Sequence, residues 1–180
     1  MIPSMMRVEL LHPMSVHFPI ALLIVGTFFR LIAVSFPKRW GGPSDFLAKS
    51  SYLLTFVGVI SAWIAWYLGT LAEEEVNSNL CDPTITHLHG DYALYVTLIF
   101  TGISIIDCAG FIFPETSVVL VRLRCFLDSR AVRFSNALLS VAASALLAYV
   151  GHLGASLTYN QAAGVYVPSP QCTEFSDERP

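Results

Sequence analysis

Five histidines carry the chemistry this chain could do: His12 and His17 in "LLHPMSVHFPIALL", His87 and His89 in "THLHGDY", and His152 in "VGHLGAS". Imidazole is neutral at physiological pH and binds haem iron, copper, zinc and non-haem iron. Axial ligation of a b-type haem needs two histidines facing each other across the ring, normally from different helices, with iron–nitrogen bonds of about 2 Å. His17, His89 and His152 are the expected ligands, with His12 next. A copper or zinc site is the competitor. It would gather three or four histidines, with Asp91 or a glutamate of the run Glu73–Glu75, and needs no ring-sized gap. The H-x-H spacing of His87 and His89 suits a metal on an extended segment, where alternate side chains share one face. A third reading is structural: the histidines hydrogen-bond to helix-end carbonyls, and the protein is a non-catalytic accessory subunit of a membrane complex.

Two ionisable residues lie inside apolar runs. Arg30 and Asp107 each stand six residues before the end of their segment, so their depths match, and an Arg30–Asp107 ion pair is the cheapest way to keep both charges. The competing reading is a proton or quinone site. Cys81 and Cys172 fall in segments on one side of the membrane, where an oxidising compartment allows a disulfide that pins the C-terminal tail. Cys108 and Cys125 are placed apart from them, and there is no C-x-x-C redox pair.

The elements that position these residues follow from composition. The chain is 180 residues long, 54% hydrophobic and 13% charged, outside the range of ordinary soluble domains. A bilayer core needs about 20 apolar residues per helix. Four segments meet that length, roughly Val16–Phe36, Ser51–Ala72, Tyr92–Phe113 and Asn136–Ala155. The expected fold is all-α, a single transmembrane four-helix bundle over residues 1–180 with a tail at 168–180. It shows no repeat of 20 to 50 residues and no room for a soluble catalytic domain. The first segment is too long for a signal peptide, lacks a small-residue cleavage site and is followed by Lys38 and Arg39, so it reads as a retained helix.

Orientation follows from the cations. Loops 37–50 and 114–135 hold seven of the ten lysines and arginines. The positive-inside rule makes these loops cytoplasmic and places both termini outside, in the periplasm if the membrane is a bacterial inner membrane. All five histidines then lie on the outer rim, because the chain reverses direction at each helix. The acidic run Glu73–Glu75 with Asp82 and Asp91 is on the same side, either as a solvated helix exit or as a docking surface for a basic partner such as a soluble cytochrome c. The segment "VVLVRLRCFLDSRAVRF" is too short to span and reads as lying on the inner membrane surface, its arginines toward anionic lipid. Nothing points to a nucleic acid.

Small residues form stripes at Gly58, Ala62, Ala65, Gly69 and Ala72 in the second helix and at Ser140, Ser144, Ala148, Gly151 and Ala155 in the fourth. Such stripes admit a neighbouring backbone or make the gap that a flat macrocycle occupies. Trp63, Trp66, Tyr67, Tyr92, Tyr95, Tyr149 and Tyr159 gather at one depth, as an interfacial belt does. Pro13 and Pro19 fix the backbone where the first helix begins.

The pattern HP-x3-HFPIALL, a histidine opening the third helix and the C-terminal "GHLGASLTYNQAAGV" resemble a family of small bacterial four-helix membrane proteins of unknown function. The resemblance covers about residues 11–166 and carries over onto His12, Pro13, His17, Phe18, Pro19, His89, Gly151, His152, Gly154 and Tyr159. Relatives often have a further histidine where this chain reads Gln161 or Ala162, so a second metal centre is not implied here. The arrangement is also similar to four-helix membrane cytochromes b. That similarity implies haem binding and electron transfer by analogy of architecture, with a site near the outer face and a quinone-linked or membrane-bound redox partner.

Overall fold

A computed structural model describes residues 8–36, 42–77, 80–112, 118–127 and 129–165, all helix, turn or coil with no strand among them. Helix α1 (Val8–Ser15) runs into α2 (His17–Ser35) through Val16. The break follows from Pro19, which has no N–H to give to the carbonyl one turn back. The chain bridges it with Val16 N–H on His12 O (3.1 Å), Ile20 N–H on Val16 O (3.3 Å) and the Ser15 hydroxyl on His12 O (2.9 Å). The two pieces together make one apolar span, Leu10–Ser35.

Helix α3 (Pro43–Val76) starts with proline in its first turn, where the missing N–H has no partner to lose. Helix α4 (Thr84–Ile112) opens on a turn in which the Asp82 carboxylate accepts the Thr84 N–H at 3.0 Å. A short α5 (Val118–Leu127) leads to α6 (Arg130–Gln161), whose N-cap Ser129 accepts from Val132 N–H. Helix α6 stops at Ala162, which takes a left-handed φ of 54° while its N–H bonds to Leu157 O. Among the described residues four helices are long and apolar enough to cross a membrane. They extend past the apolar segments because the polar flanks, histidines included, continue the same helices.

Helix α2 packs on α3, α3 on α4, α4 on α6 and α6 on α2, leaving α2 and α4 diagonal. The core is Leu23, Val96, Phe100 and Ile103, all at most 2% exposed, with Ala62, Ala143 and Val150 around them. Phe28, Leu53, Ile60, Ile105 and Leu138 point outward, as they must where the solvent is lipid tails. Close approach is set by glycine: a Cβ on Gly58 would lie 2.7 Å from Leu23 Cδ2, and one on Gly26 3.2 Å from Thr55 Oγ1.

The two halves of the chain correspond at many of their inward-facing positions. The 77-residue separation of Arg30 and Asp107 also relates Pro19 to Val96, Leu23 to Phe100, Gly26 to Ile103 and Thr27 to Ser104. All of these but Asp107 are classed as buried, and the Asp107 side chain is 5% exposed. In the partner helices another constant shift relates Ser51, Thr55, Gly58, Ala65 and Ala72 to Asn136, Ser140, Ala143, Val150 and Leu157, again all buried. Even a local bond repeats: Thr55 Oγ1 donates to Ser51 O at 2.8 Å, and Ser140 Oγ to Asn136 O at 2.7 Å. Two helical hairpins therefore face each other through equivalent surfaces, as the subunits of a two-fold dimer do.

In both hairpins the inner seam advances by three and four residues in turn, the 3.5-residue period of a left-handed bundle. In α3 this seam includes the small-residue stripe read from the sequence. In α6 it passes through Ser140, Ala143, Val150, Gly154 and Leu157 and departs from the expected stripe: Ala148, Gly151 and Ala155 are exposed. That stripe advanced by nearly four residues per step and so wound away from the contact line.

Candidate functional site

At the end of the bundle where α1 and α4 begin, His12 and His89 meet. Their ring centroids are 5.9 Å apart and the ring planes lie at 88° to each other. Each ring is held in the same way. His12 Nδ1 is 2.9 Å from Ala65 O on α3, and His89 Nδ1 is 3.1 Å from Val150 O on α6. A carbonyl only accepts, so Nδ1 carries the proton in both and donates it, leaving the Nε2 lone pair free. Four residues beyond each carbonyl stands a glycine under the ring. A Cβ on Gly69 would be 3.0 Å from His12 Cε1, and one on Gly154 would be 3.1 Å from His89 Cε1. Histidine, carbonyl and glycine occupy equivalent places in the two hairpins, so the pair straddles the line that relates them.

A cavity of ≈ 120 Å³ opens beside the two rings and is lined by both. Its walls are small or apolar, with Trp66, Ala72, Ala93 and Leu157, and its polar side chains beyond the histidines include Glu73, Thr86 and Thr158. An apolar lining with a few convergent polar groups is that of a small-molecule or cofactor site. Two imidazoles that bind one metal from opposite sides, with bonds of about 2 Å and each ring centre about 1.2 Å behind its nitrogen, have centroids about 6.4 Å apart. The observed separation is about 0.5 Å shorter, within a small side-chain adjustment of that distance. The donor set fits as well, since a carbonyl on the far nitrogen is the usual partner of a metal-bound histidine, and the cradles under the rings are ones a Cβ would fill.

The other histidines are elsewhere. His17 and His152 are both exposed, and neither joins the pair. His87 is exposed and sits 3.0 Å from Glu73 Oε1. The H-x-H segment is helical and not extended, which puts residues two apart about 200° apart around the axis. Among the described residues no group of three His, Cys, Asp or Glu side chains gathers. Gly151 lies in open surroundings, and Tyr159 is 87% exposed. Gln161 ties the end of α6 to the turn before α4, accepting the Asp82 N–H at 2.9 Å and donating to Asp82 O at 3.1 Å.

At the opposite end Arg30 meets Asp107, with NH1 2.9 Å from Oδ1 and both side chains 5% exposed. Arg30 also donates to Thr55 Oγ1 at 3.3 Å, and its guanidinium lies 5.5 Å from the Tyr52 ring centre. The two sites are about 27 Å apart at ~1.5 Å per residue, with the apolar core between them. The Cys81–Cys172 pairing falls on Cys172, which lies outside the described residues, while Cys81 is exposed.

Sequence reasoning ranked His17 and His152 ahead of His12. A signal for His12 was present: His12 precedes Arg30 by the same number of residues as His89 precedes Asp107.

A family model described as "Predicted membrane protein (DUF2231)" matches residues 9–166. No curated protein and no solved structure matches the chain.

Proposed function

The chain belongs to the DUF2231 family of predicted membrane proteins, and from that premise we propose that it is a b-type cytochrome-like electron-transfer protein whose haem is held by His12 and His89. The observation that carries this reading is the pair of imidazoles 5.9 Å apart, each anchored through Nδ1 and facing one cavity. Bound haem supplies one-electron redox chemistry.

The chain's own residues do the rest. Ala65 O and Val150 O hold both histidines in the tautomer that leaves Nε2 as the donor atom, and they raise its basicity. Gly69 and Gly154 let the rings lie against the neighbouring helices. Ala72, Ala93 and Leu157 exclude water from the inner wall of the cavity. The positive-inside rule puts this end of the bundle on the periplasmic side of a bacterial inner membrane, with both termini there. Electrons would pass between the quinone pool and a periplasmic or membrane-bound redox partner, such as a cytochrome c.

The purified protein should show the sharp bands of a six-coordinate b-type haem in a reduced-minus-oxidised spectrum. His12→Ala and His89→Ala should each abolish them, whereas His17→Ala and His152→Ala should retain them. A preparation without the bands, or a His12→Ala protein that keeps them, would overturn the assignment. Copper or zinc found in stoichiometric amount in their place would favour the metal-ion reading.

A further inference from the structure

Two ligands related by near-symmetry leave open which way round a bound ring is seated, and the cavity holds one group that can decide it. Thr86 lies three residues before His89 on the same face of α4, is 7% exposed, and lines the cavity. Its Oγ1 is buried and has no hydrogen-bond partner among the described residues. Buried hydroxyls are almost always paired, because an unpaired one forfeits the bonds it made to water. Of the other hydroxyls at the wall, Thr158 Oγ1 donates to its own helix at Gly154 O and Thr70 Oγ1 to Tyr67 O, and Glu73 is engaged by His87.

Equivalent places in the two hairpins are also unlike in charge. Thr158 corresponds to Glu73 by the shift that relates Gly154 to Gly69, so one hairpin brings a hydroxyl to the wall where the other brings a carboxylate. An anionic edge is repelled by that carboxylate and can accept a hydrogen bond from Thr86.

We infer that Thr86 is a positioning residue: its hydroxyl donates a hydrogen bond to a carboxylate on the edge of the porphyrin bound between His12 and His89, and so sets the ring's orientation. This rests on the haem reading above.

The test titrates hemin, and separately the iron porphyrin with both carboxylates esterified, into apoprotein in detergent. With hemin, Thr86→Val should weaken binding about tenfold, the loss of one hydrogen bond to a charged group, while Thr86→Ser binds as the wild type does. With the esterified porphyrin, wild type and Thr86→Val should bind alike. The bis-histidine spectrum should be unchanged in every variant, because the ligands are untouched. Hemin binding by Thr86→Val equal to wild type, or an equal loss with both porphyrins, overturns the inference and leaves the haem reading intact. A wild-type protein that binds neither porphyrin overturns both.

Discussion

At the scale of single residues, the glycines beneath the two imidazoles are the sharpest probe of the site. A methyl group added at Gly154 would come within 3.1 Å of His89 Cε1, and one added at Gly69 within 3.0 Å of His12. Real Cβ atoms rarely approach so closely, so the ring must give by a few tenths of an ångström, against the bond to its carbonyl. On the proposed haem reading, Gly154→Ala and Gly69→Ala are therefore expected to lower haem content severalfold while the helices persist, measured as the haem-to-protein ratio beside the circular dichroism spectrum. Gly151→Ala meets nothing within 4 Å and should leave haem content unchanged. It should slightly stabilise α6, since alanine exceeds glycine by up to about 1 kcal/mol in a helix. Haem loss in Gly151→Ala, or none in Gly154→Ala, would separate the site from these contacts. The sequence made both glycines visible in "GHLG", but only the seam of α6 shows that the second faces inward.

At the scale of elements, the fold depends on close contact between helices that have little hydrophobic drive to associate in lipid. Gly58 is the tightest point, because its Cβ would fall 2.7 Å from Leu23 Cδ2. Gly58→Ala should force α2 and α3 apart and cost about 1–3 kcal/mol, the range for overpacked cores. A melting temperature in detergent equal to wild type would show that the contact relaxes freely. The start of α4 gives a prediction in pH. The Thr84 hydroxyl, and then its backbone N–H, hold the Asp82 carboxyl below its ordinary range. A carboxylate depressed in the folded state stabilises above its unfolded value and loses that contribution as pH falls through its folded value. Hydrogen-exchange protection over residues 84–88 should therefore decline on acidification below the ordinary carboxylate range and stay flat above it. In Asp82→Asn the pH dependence should vanish; its persistence would assign it elsewhere.

At the scale of the whole molecule, the correspondence between hairpins makes Arg30 and Asp107 interchangeable places. Reversing one charge puts like charges together at side chains 5% exposed. Arg30→Asp or Asp107→Arg alone should thus cost about 3–5 kcal/mol, as for a broken buried pair. The double variant should recover most of the loss. Its arginine would find Ser140 where the natural one finds Thr55, so adding Ser140→Ala should harm the double variant more than the natural protein. Melting temperatures across this series check the claim, and a double variant no better than the singles would count against equivalence. The repeat escaped a reading of identities because the halves share burial and residue size more than residue type: leucine answers to phenylalanine, arginine to aspartate.

The sequence by itself determined four spans, an all-helical chain and the matched depth of Arg30 and Asp107. These depend on length and on position along an axis, which a bilayer about 30 Å thick reads from local hydrophobicity. Placing all five histidines toward one end of the bundle followed from the same alternation of direction. Which histidines meet was decided by the tertiary structure alone. Each residue turns a helix by about 100°, so His12 and His17 point about 140° apart, and His87 and His89 diverge by even more. The inner seams that α3 and α6 each present to the bundle then select one of each pair, bringing His12 to Gly69 and His89 to Gly154. Depth is a property of the chain, whereas facing is a property of its neighbours, and a site between helices needs both.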